Sequence, residues 1–499
     1  MTTLLPPKNA PKISYIAGSL TTRMLASHEL ILVLANAKLA RHLLRQYPRS
    51  PEFLQQYDQL NRDTPPTLLR LSSTESSGAI LLTFVKSDLP TFEQLQAAAR
   101  LWKEASGCKA ASVALSTLGF EEPESQNLRQ TLLAAVLAGS APLPSYKRQS
   151  PKPRLESVTL LGGGAASHYA ETLATHAGNH LARWLTTLPP NELNCASYRQ
   201  TLQQLAKREG WQSEFLDIAT LQKLKAGAFL AVARANARPG AGILRLSYRA
   251  AGKKKQRRTV CLVGKGICFD TGGINLKSHK GMYDMHTDMQ GSAVAVGTLL
   301  ALSQLKVPYD IDCWLALTEN EIGPNAYRPQ EIITAANGTT IQVVHSDAEG
   351  RMALADTLTL AAKNKPALMI DFATLTGACV AALTERMSGA FSNRDTLRAG
   401  IEQAGRISGE RVWSFPMDAD FDSDLESPIA DLMQCTMDNK GDHILAARFL
   451  NHFVPGDVPW VHIDLSSANK SGGLAHIPTE ITGFGVRWAV EFVTRHAFT

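Results

Sequence analysis

The sequence predicts an α/β protein: a small N-terminal α/β domain over residues 1–150, a connector over 151–165, and a larger α/β domain over 166–499 with a mainly parallel central sheet. Three observations predict it. Short runs of branched aliphatic residues alternate with helix-length stretches, the pattern of a mainly parallel sheet covered on both faces. A polar stretch from Ala141 to Pro153 carries four prolines and reads as exposed connector. The length, 499 residues, favours two or more domains over one core.

In chain order, Glu29 to Leu34 and Ala79 to Val85 read as strands and Phe92 to Glu104 as a helix. Nothing in this segment reads as catalytic. A second pattern begins near residue 157. Its strands are Val158–Leu161, Ile243–Tyr248, Val260–Val263, Ile311–Leu317, Ile341–Val344, Leu368–Phe372 and Trp460–Leu465. Helices are expected at Tyr169–Leu188, Ser292–Leu305 and Met352–Asn364. Functional groups in such folds collect beyond the C-terminal ends of the strands.

Composition narrows the function classes. With 44% hydrophobic and 19% charged residues the chain is of ordinary globular type. No apolar run approaches the roughly 20 residues that span a bilayer. The first residues lack the layout of a secretory signal, so a cytoplasmic location without membrane partners is expected. Seven cysteines with no CxxC pair argue against a disulfide framework or a cysteine zinc site. Net charge is only +6, and the one dense basic run, Lys253 to Arg258, reads as a solvated hairpin tip rather than a nucleic-acid patch.

Three polar clusters fall at strand ends. The first, Val263 to Lys277, offers Lys265, Asp270 and Lys277 among glycines that let the backbone turn tightly. The second, Met282 to Ser292, contains Asp288 just before a helix, where a plain N-cap is the bland alternative, and Asp284 as a rival carboxylate. In the third, His345 to Asp356, Asp347 and Glu349 stand two apart and share a face if extended, with Arg351 following. Adjacent carboxylates repel unless a cation lies between them; a structural ion-pair network with Arg351 is the alternative. Together Asp270, Asp288, Asp347 and Glu349 make a sensible cage for two divalent cations, with Zn²⁺, Mn²⁺ or Mg²⁺ suited to oxygen ligands. His279, His286 and His345 have no HExxH spacing and read as ordinary loop residues.

At this point the chain resembles the leucyl aminopeptidase family of two-metal exopeptidases. The resemblance rests on Ser346-Asp347-Ala348-Glu349-Gly350-Arg351, the lysine segment, Asp288, Leu188-Pro189-Pro190-Asn191, Glu319-Asn320, Ala326 to Pro329 and Asp371 to Ala378. It covers residues 165 to 499 well and the first 150 weakly. It implies that Lys265, Asp270, Asp288 and Glu349 hold one metal and Asp270, Asp347 and Glu349 the other, with Zn or Mn as the ions. It further implies that Lys277 stabilises the oxyanion, that Arg351 cradles a bicarbonate acting as proton shuttle, and that Met285, Thr374 and Gly377 border the side-chain pocket. A hydroxide bridging the metals would attack short peptides with a free amine, and six identical subunits would assemble.

The chain departs from the family pattern at His345-Ser346, at His286, and in the tail from Asp464 to Lys470 and Thr482 to Gly485, which looks closer to the peptidase B branch. These departures leave the preferred N-terminal residue open. The alternative function is a DNA-binding or regulatory accessory protein on the same scaffold. For it, residues 1–150 offer only a weak basic bias, 16 basic against 11 acidic side chains.

Overall fold

A computed structural model of the chain describes residues 4–7, 10–18, 21–60, 68–74, 78–106, 110–148, 155–252 and 257–498. The chain divides into two units. One comprises residues 7–176 and 471–480, and the other residues 1–6, 177–470 and 481–499.

The first unit is built on six strands, β1 (Lys12–Ile16), β2 (Leu30–Asn36), β3 (Leu69–Leu71), β4 (Ala79–Val85), β5 (Ser112–Leu118) and β6 (Ser157–Leu161). They run in the order β1-β6-β5-β2-β4-β3, with every pair parallel except β3 with β4. Strands buried on both faces need apolar side chains at successive positions, and β2 is buried from Leu30 to Ala35. On one face Leu30, Leu32 and Leu34 share a core with Ala98 and Leu101 of helix α1 (Thr91–Ser106) and Leu132 of α2 (Glu124–Ser140).

The strand expected at Val158–Leu161 belongs to this sheet and not to the second pattern. Val158 pairs with Ile13 on one side and Val113 on the other. The proline-rich stretch marks exposed chain, which need not coincide with the end of a sheet. Its residues 149–154 lie outside the described residues.

The second unit carries an eight-stranded sheet in the order β15-β14-β17-β13-β9-β10-β8-β7. Its strands are β7 (Gln212–Asp217), β8 (Gly242–Tyr248), β9 (Thr259–Asp270), β10 (Asp310–Asn320), β13 (Leu368–Ala373), β14 (Ser388–Ser392), β15 (Val412–Ser414) and β17 (Trp460–Asp464). The central run β17-β13-β9-β10 is parallel. A separate three-stranded sheet joins β11 (Ile332–Thr334), β12 (Thr340–Gln342) and β16 (Leu432–Met433).

The side chains of β9 alternate between two layers. Cys261 and Val263 enter the core that also holds Met352 and Leu358 of α4 (Glu349–Ala362) and Phe449 of α6 (Asp442–Asn451). Gly264 lies against α3 (Gln290–Gln304), where a β-carbon would stand 2.4 Å from Ser292 Cα. Two further helices are α5 (Gly377–Leu383) and α7 (Val486–Arg495). The basic run Lys253 to Arg258 does not cap a hairpin, because β10 lies between β8 and β9. Residues 253–256 of that run lie outside the described residues.

Candidate active site

β9 ends in the site. Lys265 and Asp270 are an odd number of residues apart, so a regular strand would point them to opposite faces. The register against β10 explains how they come together. Ala316 pairs with Lys265 and Asn320 with Asp270, and β9 holds one extra residue between those pairings. The bulge restores Asp270 to the face of Lys265. Asn320 then reads both ends of the site: its Nδ2 donates to Asp270 Oδ1 (2.8 Å), to the Ser346 carbonyl (3.1 Å) and to Glu349 Oε2 (3.3 Å).

The loop after β12 and the first residue of α4 deliver Asp347 and Glu349. Ser346 fixes that loop: its Oγ donates to the Gly272 carbonyl at 2.7 Å, and its carbonyl accepts from Tyr327 Oη at 2.7 Å. Glu349 opens a helix, where negative charge is favourable, and is only 1% exposed. Asp270, Asp347 and Glu349 present ligand atoms within 4.8 Å of one another.

Two lysines knit this group. Lys277 Nζ stands 2.8 Å from Asp270 Oδ2 and 2.6 Å from Asp347 Oδ1. Lys265 Nζ reaches Asp288 (2.8 Å), Glu349 Oε1 (3.1 Å) and the Thr374 carbonyl (3.0 Å). Its stem runs over Gly350, where a β-carbon would come within 2.4 Å of Lys265 Cε. Asp288 is not the helix cap. The residue before α3 is Met289, and the Asp288 carboxylate instead faces Lys265 and accepts from Thr374 Oγ1 at 2.7 Å.

Charge in this space is unbalanced, four carboxylates against two ammonium groups. Burial and the neighbouring Asp270 push the Glu349 carboxyl up to about 8. Burial pushes Asp288 up to about 6 against the opposing pull of Lys265. Asp347 is raised by burial and by Asp270. Burial opposes charge on both lysines, but the surrounding carboxylates outweigh it and hold them above the ordinary lysine value. A surplus of buried negative charge with oxygen donors converging is the setting in which divalent cations bind.

The ten residues to which the resemblance gives roles line one cavity of about 630 Å³: Lys265, Asp270, Lys277, Met285, Asp288, Asp347, Glu349, Arg351, Thr374 and Gly377; the rival carboxylate Asp284 does not. His345 lines it as well, and its Nδ1 accepts from the Asp347 amide at 3.3 Å. Asn469, in the tail that departs from the family pattern, lines it too, as do Cys435, Asn439 and Asp442, which nothing in their local sequence singles out. Asp442 was hidden as an ordinary acidic residue in the first turn of a helix, yet both its oxygens lie on Arg351 Nη2, at 2.8 and 2.7 Å.

Comparison with known proteins shows the family. Residues 180–490, more than half of the chain, match the model of the cytosol aminopeptidase family, catalytic domain. The chain belongs to the cytosol aminopeptidase family. It is 38% identical over 402 residues to a probable cytosol aminopeptidase of Parasynechococcus marenigrum, covering 78% of this chain and 81% of the relative. A probable cytosol aminopeptidase of Syntrophotalea carbinolica is 38% identical over 395 residues, covering 77% and 78%. Among solved structures, a mutant of tomato leucine aminopeptidase superposes with a TM-score of 0.85 at 27% identity, covering 98% of both chains. The bottromycin maturation enzyme BotP in complex with Mn gives a TM-score of 0.80 at 26% identity, covering 94% of this chain and 100% of the other.

The chain is therefore an enzyme, a metallo-exopeptidase with the α/β fold of the tomato protein. Among the described residues no helix is long and apolar enough to cross a membrane.

Proposed function

We propose that this protein removes the N-terminal residue from short unblocked peptides at a pair of divalent cations, Zn or Mn, held by Lys265, Asp270, Asp288, Asp347 and Glu349. The observation that carries it is the convergence of Asp270, Asp347 and Glu349 within 4.8 Å, in a cavity where carboxylates outnumber lysines. The donor set fits hard divalent ions, and Asp270 and Glu349, 2% and 1% exposed, carry charge that burial leaves poorly solvated. When bound, such ions would supply an acidified water and a polarising charge for the peptide carbonyl.

The chain's own groups do the rest. Lys265 joins the donors only after losing its proton, which Asp288 and Glu349 oppose until their charge is neutralised. Lys277 stands between Asp270 and Asp347 on the cavity wall, placed to donate to the oxygen that becomes negative as the carbonyl is attacked. Met285, Thr374 and Gly377 form the wall that receives the first side chain. The acidic surroundings favour a free ammonium terminus over a blocked one. A cytoplasmic site of action and a six-subunit assembly accompany this reading through the family resemblance. The comparisons lend the DNA-binding alternative no support.

A soluble bicarbonate on Arg351 does not fit. Nη2 of Arg351 is occupied by Asp442, and Nη1 donates to the Gln434 carbonyl at 3.1 Å.

The test is amino-acid release from a panel of dipeptides and their N-acetylated forms, with Mn²⁺ or Zn²⁺ and with chelator, for wild type and Asp347→Ala. Metal-dependent cleavage of the unblocked forms alone, lost in the variant, is expected. A folded, metal-loaded protein that cleaves nothing in the panel would overturn the proposal.

A further inference from the structure

Arg351 is one of the most deeply buried cations of the protein, with 3% of its side chain exposed, and Asp442 beside it keeps 13%. Burial disfavours charge on a guanidinium, and here Asp442 outweighs it and raises Arg351 above its ordinary value. The pair spans 91 residues of sequence and joins the first turn of α4, two residues beyond Glu349, to the first residue of α6. Both partners, together with Asp270, Asp347 and Glu349, face one cavity. Arg351 Nε is buried and has no hydrogen-bond partner among the described residues. The pair thus lines the space on which Asp270, Asp347 and Glu349 converge, and Asp442 is the carboxylate that Arg351 presents to it.

We propose that Asp442 is a carboxylate built into the chain that takes the place of a soluble carbonate on Arg351 and serves there as the proton carrier of peptide hydrolysis. It accepts a proton from the attacking water as the oxygen–carbon bond forms. It returns that proton to the amide nitrogen as the carbon–nitrogen bond breaks, so that proton and charge balance over the cycle. Arg351 positions the carboxylate and does not itself react. The proposal rests on the aminopeptidase reading above, and one of its two measurements does not.

The first measurement is bicarbonate binding, followed by ¹³C line broadening or calorimetry, on wild type, Asp442→Ala and Asp442→Asn. The proposal expects binding to Asp442→Ala alone, because truncation opens the seat on Arg351 while the asparagine amide keeps it filled. Bicarbonate bound equally by wild type, or by none of the three folded proteins, would overturn it. The second is dipeptide hydrolysis with and without bicarbonate or formate. The expected result is a fall in kcat of at least tenfold for both variants with KM little changed, recovery of Asp442→Ala by either anion, and no response from wild type or Asp442→Asn. Loss in Asp442→Ala without recovery, or full activity in Asp442→Asn, would sink the proton-carrying role. A wild type without peptidase activity whose Asp442→Ala variant still gains bicarbonate binding would refute the aminopeptidase reading and leave the filled seat standing.

Discussion

Gly350 shows how little freedom a single position in this site has. Any larger residue there puts its β-carbon against the Lys265 stem, which cannot swing away because Asp288, Glu349 and Thr374 hold its end. Gly350→Ala gains helix propensity, about 1 kcal/mol, and overpacks a buried contact at a cost of about 1–3 kcal/mol. The expected sum is a mildly destabilised enzyme whose activity falls far more than its melting temperature, read from parallel unfolding and dipeptide assays. An unchanged kcat would show that Lys265 does not need its present path. Residues of this kind were legible in the sequence because their types are chemically unusual where they stand: lysines and carboxylates among glycines at the end of an apolar strand. Asp442 was illegible for the opposite reason. An acid in the first turn of a helix is the commonest of arrangements, and its meaning comes only from an arginine 91 residues away.

Individual elements carry their own consequences. The N-terminal turn of α7 is held by Glu410, whose Oε2 accepts from the amides of Gly485 (2.8 Å) and Trp488 (2.9 Å). Its Oε1 is buried with no hydrogen-bond partner among the described residues. Burial outweighs those two amides and pushes the Glu410 carboxyl up to about 7 from an ordinary 4.5. The folded protein therefore binds this proton more tightly than the unfolded chain. Its contribution to stability is full below about 4.5 and is lost as the pH rises to about 7, a change of roughly 3 kcal/mol. Glu410→Gln removes that dependence. The stability of wild type relative to the variant should rise between pH 7.5 and pH 4.5 in denaturant unfolding, and a flat difference would contradict the assignment. Strand β9 marks the limit of periodicity as a guide. Its apolar half was evident from Val260 to Val263, but the strand continues through Lys265 to Asp270. The bulge that aligns those two side chains leaves no trace in the sequence, since it is set by pairing with β10.

On the scale of the whole molecule, the α/β class and the parallel centre of the larger sheet followed from the alternation of apolar runs and helices. Strand order did not, because β6 joins its sheet between β1 and β5 through pairings that no local pattern encodes. Binding of cations should register globally. A site filled at a hundred times its dissociation constant stabilises the folded state by about 2.7 kcal/mol. Mn²⁺ or Zn²⁺ should therefore raise the melting temperature by about a few degrees, chelator should reverse the shift, and Asp270→Asn should abolish it. A wild type indifferent to both ions in calorimetry would argue against the cage.

The segment 471–480 belongs with residues 7–176, although some three hundred residues separate them. Leu474 and Ile477 share with Trp102 and Gly139 the walls of a cavity of about 410 Å³. On the ribosome, residues 7–176 must then wait for a segment made much later. At about 5–20 residues per second the delay is roughly 15 to 60 s, during which Trp102 and Gly139 lack the segment that shares their cavity.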